Sequence, residues 1–224
     1  MKVVVVVSAN AEWEAIKPLF SQAEIQQYLY GESFQAAIHE TGVLFFHTGW
    51  GKTASAAALQ HILDIYEPVL VINLGTYGGF KGVVERGDVI LIERTFIYDI
   101  VEMMDTADVT DYYVSVLDLS WLAEPYPFPA RRGLIASADS DLPPGKIPFL
   151  KSHGAIAADW ESAALAWVAQ RNNARLLILR GVSDMVSEQG GEVYNNIEIF
   201  NERARGIMQQ LIEQLPEWLN AVRL

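Results

Sequence analysis

The apolar positions of this chain fall into short unbroken runs separated by glycine-rich and polar segments. Val3 to Val7, Val69-Leu70-Val71-Ile72-Asn73-Leu74 and Leu176-Leu177-Ile178-Leu179 leave no side for water, so each predicts a strand covered on both faces. Asp88 to Glu93, Gly133 to Ser137 and Ala155 to Ala158 add further strands. Phe34 to His39 and Val43 to Thr48, joined around Glu40-Thr41-Gly42, predict an antiparallel pair. Helical spacing appears over Glu12 to Phe20, from Ala54 to Leu59 on a small-residue face, and from Asp159 to Val168. A last helix is expected from about Asn195 to Val222 with a break at Pro216, whose ring removes a helical hydrogen bond. Alternating strands and helices predict an α/β fold, a three-layer α/β/α sandwich around a mixed, largely parallel sheet. With no repeat, low-complexity tract or linker, residues 1–224 are expected to form a single domain. Tyr98 to Tyr113, acidic and aromatic without a period, reads as a loop or lid, and residues 123–131 with their three prolines read as irregular.

Polar residues collect where the apolar runs stop: Glu12, Thr76, Asp159, Glu161, Arg180 and Asp184. Each has an ordinary alternative as a cap or turn residue. Jointly they suggest one crevice, because ligands of open α/β sheets bind beyond the carboxyl ends of the strands. Leu176 to Asp184 carries this furthest, since its apolar half is expected to end at Leu179 and place Arg180, Gly181, Ser183 and Asp184 past the strand. The glycines of Gly75-Thr76-Tyr77-Gly78-Gly79 suggest a backbone able to bend around a ligand. Gly49-Trp50-Gly51-Lys52-Thr53 looks like part of a phosphate loop, but position 46 is Phe where that motif needs its first glycine, so an ATP site is rejected.

Charge and cysteine content narrow the partners. The formal net charge is −12 with no basic run, a field that repels nucleic acid and anionic membrane and favours a small neutral or cationic ligand. There is no cysteine, which excludes disulfides, thiolate metal sites and a cysteine nucleophile, and fits a cytoplasmic protein. Val3 to Val7 is too short for a signal-peptide core.

Taken in order, Ser8-Ala9-Asn10-Ala11-Glu12, Gly49 to Lys52, Asn73 to Gly79, Gly87-Asp88-Val89, Arg132 to Ser137, Asp159 to Ala164 and Arg180 to Asp184 resemble the nucleoside phosphorylase superfamily. The likeness covers nearly the whole chain and is greatest to its methylthioadenosine/S-adenosylhomocysteine nucleosidases. It implies a phosphorylase/hydrolase-like fold, cleavage of an N-glycosidic bond without metal or cofactor, a small-molecule nucleoside substrate and a homodimer. It implies Asp184 as the acid that protonates a purine nitrogen, steadied by Ser183, and Glu161 as the acceptor of ribose hydroxyls. Glu12 would hold and deprotonate a water, with Thr76 and Arg180 in the same pocket. Hydrolysis is favoured over phosphorolysis because a carboxylate at Glu12 repels phosphate, and because Asn73 stands where a phosphorylase relative carries an Arg. The rival readings are a phosphorolytic enzyme and a non-catalytic nucleoside-binding protein. The pattern departs from the nucleosidases at Trp160, where they have Met, and at Asp141, beside Leu142, where a base-stacking Phe is expected. Asp141 fits either an exocyclic amino group or a cap ahead of Pro143. Trp50 and Tyr77 are candidates for the 5′ side of the pocket, or for simple packing.

Overall fold

Each unbroken apolar run becomes a buried strand. A computed structural model describes residues 2–104 and 112–223. In chain order the elements are β1 (Val3–Val7), α1 (Asn10–Ile16), β2 (Gln26–Tyr28), β3 (Gly31–Ile38), β4 (Thr41–His47), α2 (Gly51–Tyr66), β5 (Leu70–Phe80), β6 (Val89–Ile97), β7 (Ser115–Val116), β8 (Arg131–Ser137), α3 (Ile147–Ser152), β9 (Ala155–Asp159), α4 (Ser162–Arg171), β10 (Leu176–Ser187), β11 (Gly190–Gly191) and α5 (Ile197–Asn220). The expected lid, Tyr98 to Tyr113, falls partly outside the described residues. No helix among the described residues is long and apolar enough to cross a membrane.

The strands form one sheet in the order β11-β10-β6-β8-β9-β5-β1-β4-β3-β2, with β7 on β6 and an additional β5–β10 pairing. Its middle, β4-β1-β5-β10, is parallel, whereas β3 on β4, β9 on β5 and β6 on β10 are antiparallel. Because β5 pairs with both β9 and β10, the segment β10-β6-β8-β9-β5 closes on itself, a feature that periodicity does not carry. α1 and α5 cover one face, where Val3, Val5 and Val7 pack with Trp13, Leu211 and Trp218. α2 and α4 belong to the other, where Val4 and Val6 pack with Leu59, Ile62 and Leu165. That is the three-layer sandwich.

Several boundaries differ from expectation: α4 starts at Ser162, with Asp159 still in β9, and larger differences fall at β5, β10 and α5. β5 and β10 do not stop at their glycines but run on together, paired from Leu176 with Val71 to Val186 with Phe80, and shift register between Val182 and Asp184. The glycines are there for close packing: a Cβ on Gly79 would sit 2.5 Å from Val84 Cγ2, and one on Gly181 2.5 Å from Ile207 Cγ2. Arg180, Ser183 and Asp184 therefore lie inside a strand, not beyond it. Nor does Pro216 break α5, which stays helical from Ile197 to Asn220. Leu215 and Trp218, both fully buried, hold the last turn against the core on either side of the proline.

Candidate active site

A cavity of ≈ 540 Å³ opens beside these strands, and Glu12, Trp50, Thr76, Tyr77, Asp141, Leu142, Trp160, Glu161, Arg180, Ser183 and Asp184 all border it. One end is built on a buried cation. Arg180, 1 % exposed, donates from Nε to Asn73 Oδ1 (3.1 Å) and from Nη1 to the Thr76 carbonyl (2.8 Å). Its Nη1 lies 3.2 Å from Asp159 Oδ2, and its Nη2 lies 3.6 Å from Glu161 Oε2. Strand pairing sets this up, since Arg180 lies opposite Gly75, where a Cβ would come within 3.0 Å of the guanidinium and of Glu12 Oε1.

The surrounding carboxylates are held by helix starts. Glu12, in the first turn of α1, reaches back to the Ala9 N–H (3.3 Å) and also accepts from the Thr76 N–H (2.6 Å) and hydroxyl (2.8 Å). It thus keeps its expected place in the first turn while binding across to β5. Asp159, the last residue of β9, accepts from Ser137 Oγ (2.5 Å) and from the Ser162 N–H (3.1 Å), so it satisfies the start of α4. That frees Glu161, which occupies the cap position of α4 without capping it and instead accepts from the Gly51 N–H of α2 (3.0 Å). Asp139 takes the next donor of α2, the Lys52 N–H (2.7 Å).

Burial raises the pKa of Glu12 and of Glu161 above the ordinary carboxylate range; Arg180 pulls both the other way, and neighbouring carboxylates push Glu161 further up. Burial of Glu12 and Glu161 beside a single cation favours a bound proton on one of them.

The other end is different. Asp184, four residues beyond Arg180 and roughly 12 Å along an extended strand, has Ser183 Oγ 3.1 Å from its Oδ1. The same hydroxyl lies 3.2 Å from the Tyr77 carbonyl, and its single proton serves one of the two. Asp184 Oδ2 is buried with no hydrogen-bond partner. Burial raises the carboxyl to about 6.

Trp50 and Trp160 form a wall, their rings 6.2 Å apart and tilted by 47°. Trp50 is 59 % exposed and belongs to the rim, whereas Tyr77, 3 % exposed, packs in the α2/α4 core cluster, so of the two only Trp50 suits the outer side. Asp141 does not cap the short 3₁₀ helix that follows, where Pro143 holds the cap position, and is exposed at the cavity. Tyr98, the first residue of the expected lid, also lines it, as do Tyr194 and Phe200, which sequence reasoning missed. Tyr194 donates to the Leu142 carbonyl (3.1 Å), joining the segment before α5 to the Asp141 loop. The Gly190-Gly191 pair ahead of the helix was the one available signal for it. Among the described residues no group of three or more His, Asp or Glu side chains is placed to hold a metal ion.

Fold and site together define an α/β protein whose cavity is bordered by the carboxylates of Glu12, Asp159, Glu161 and Asp184. The family model described as the phosphorylase superfamily matches residues 2–215, and the chain belongs to that superfamily. It is 26% identical over 241 residues to the 5′-methylthioadenosine/S-adenosylhomocysteine nucleosidase of Buchnera aphidicola subsp. Acyrthosiphon pisum (strain Tuc7), covering 96% of this chain and 99% of that one. Against the nucleosidase of the same description from Bacillus cytotoxicus it is 25% identical over 203 residues, 84% of this chain and 88% of the relative. The fold matches the crystal structure of Streptococcus pneumoniae MTA/SAH nucleosidase in complex with 8-aminoadenine at a TM-score of 0.79 and 23% identity, covering 99% and 100% of the two chains.

Proposed function

We propose that this chain hydrolyses the N-glycosidic bond of a purine nucleoside of the 5′-thioadenosine type, such as methylthioadenosine or S-adenosylhomocysteine, releasing the free base and the sugar. The observation that carries the reading is the division of the cavity. A buried acid with an unpartnered oxygen stands at one end, and a buried carboxylate cluster stands at the other. In the reaction the C1′–N9 bond breaks with its electron pair moving into the base, while Asp184 delivers a proton to a base nitrogen. Water adds to C1′, and its proton passes to Glu12, whose affinity for a proton is raised by burial. Glu161 accepts the ribose hydroxyls, and the charge on whichever of Glu12 and Glu161 is ionised stabilises the cationic sugar. Thr76 and Arg180 orient Glu12; Ser183 orients Asp184. Trp160 and Trp50 wall the sugar and its 5′ substituent, and Asp141 with Leu142 borders the base.

Water is favoured as the nucleophile because the site's buried cation lies against Asp159 and Glu161, whose carboxyls together with that of Glu12 repel a phosphate dianion. Incubation with 5′-methylthioadenosine in phosphate-free buffer is expected to release adenine and reducing sugar. Strict dependence on phosphate, with a sugar 1-phosphate as product, overturns the reading.

Residues 1–224 act as one domain, working in the cytoplasm as a homodimer. Ile100, Val101, Met103 and Met104, exposed by 37 to 93 %, supply apolar surface for the partner. Light scattering that gives a stable monomer at micromolar concentration overturns the dimer.

A further inference from the structure

The register shift between Val182 and Asp184 makes Ser183 an extra residue in β10. Bulges of this kind re-aim the side chains beside them and leave a backbone group out of the ladder. Here the freed Ser183 carbonyl accepts from Arg203 Nη1 of α5 (3.1 Å). The same nitrogen is 3.0 Å from Glu192 Oε2, and that oxygen accepts from the Met185 N–H (3.4 Å). The peptide groups on both sides of Asp184 are thus held by one ion pair that lies outside the cavity lining. Arg86 Nη2 steadies the other Glu192 oxygen at 3.2 Å. The hairpin that ends just before Glu192 presses close: a Cβ on Gly191 would fall 2.7 Å from Asp184 Oδ2.

We infer that the Glu192–Arg203 pair is a positioning device for Asp184, fixing the bulge that aims its carboxyl into the cavity and setting the charge that this carboxyl faces. The inference rests on Asp184 being the acid of the proposed reaction. The groups that face Asp184 are Ser183 on its own strand, Glu192 beyond the hairpin, Arg203 on α5, Asp141 on the loop after β8, and Tyr194. Glu192 and Asp141 disfavour its ionisation and Arg203 favours it. The pair is partly exposed, 23 % for Arg203 and 36 % for Glu192, so its loss is expected to spare the fold, because ion pairs in contact with water contribute little stability.

The test uses the full chain with Arg203→Met, Glu192→Gln and Arg203→Lys. Asp184 is titrated by carbon NMR of its carboxyl, its signal assigned by its loss in Asp184→Asn, and adenine release from 5′-methylthioadenosine is measured alongside. Arg203→Met is expected to raise the Asp184 midpoint, and Glu192→Gln to lower it, each by about half a pH unit. In both, kcat falls roughly tenfold with little change in KM, as misplacement of a reacting group does. Arg203→Lys, which keeps the charge and a donor, recovers most of the loss. A merely structural pair would move both midpoints together or neither, and either result overturns the inference. If Arg203→Met does not fold, Glu192→Gln alone decides, an unshifted midpoint counting against the pair. A wild-type protein that releases no base would sink the proposed function, while the titrations still decide the clamp.

Discussion

The two ends of the cavity use the same side-chain chemistry under opposite conditions. At the Arg180 end, Glu12, Asp159 and Glu161 are all at least nine-tenths buried and locked to helix starts and to a cation. At the Asp184 end the buried carboxyl has one hydroxyl beside it, one free oxygen, and a half-exposed hairpin for a neighbour. Rigidity at the first end suits holding a sugar and a water in one geometry. An acid that must give up and regain a proton each cycle needs the second kind of surroundings, since full pairing would hold it ionised. The role of a carboxylate here is set by its partners rather than by its identity.

The strongest test of this contrast is Asp184→Asn, which keeps size and polarity but cannot deliver a proton. Turnover is expected to fall by roughly 10²–10⁴ with substrate affinity retained, in kinetics set beside equilibrium binding. The same variant reports on stability. The folded carboxyl is raised from 3.8 to about 6, so its contribution to stability is full below about pH 4 and is lost as pH rises through about 6. Asn removes that loss, and thermal midpoints at pH 7 to 8 should match or exceed those of the parent. For the parent, kcat/KM should decline as pH rises past about 6, where the acid ionises. Equal turnover in the variant, or a flat profile, would break the comparison.

Arg180→Met probes the other end and should strike the fold. Removing the cation leaves three buried carboxylates without their counter-charge, at a cost of about 3–5 kcal/mol that denaturant unfolding will read. A paired substitution then sharpens the contrast. Gly75→Ala drives a methyl group to 3.0 Å from Arg180 and Glu12, where nothing can yield, and should cost about 1–3 kcal/mol of stability. Gly191→Ala meets the Tyr194 ring at 2.5 Å and Asp184 at 2.7 Å, on a hairpin partly exposed to solvent. It should lower kcat roughly tenfold with a smaller change in melting. The smallest effect is expected at the rim: Trp50→Ala, at a position 59 % exposed, should raise KM about threefold and change stability by less than about 0.5 kcal/mol.

Much of this architecture was legible along the chain. Runs such as Val3 to Val7 and Leu176 to Leu179 read as strands buried on both faces, because every side chain in them is apolar and not every second one. Their alternation with helices sufficed for the layered fold. The site residues were legible because polar groups that interrupt such runs need a partner inside the protein. Harder to see were the extents of β5 and β10. A glycine in sequence is ambiguous between a turn and a close contact, and the Ile207 side chain that decides it for Gly181 comes from a helix at the far end of the chain. Pro216 misled for the same reason, as the packing of Leu215 and Trp218 outweighs the local penalty.

Taken alone, the chain determined which segments are buried and which chemical groups stand at their ends, since burial follows from local composition and period. Only the tertiary structure decided which of those groups meet. The ring β10-β6-β8-β9-β5, the capping of α4 by Asp159 that releases Glu161 to α2, and the bulge at Ser183 that turns Asp184 inward all depend on register between strands or elements far apart in sequence. Register is a property of pairs, and no single segment carries it.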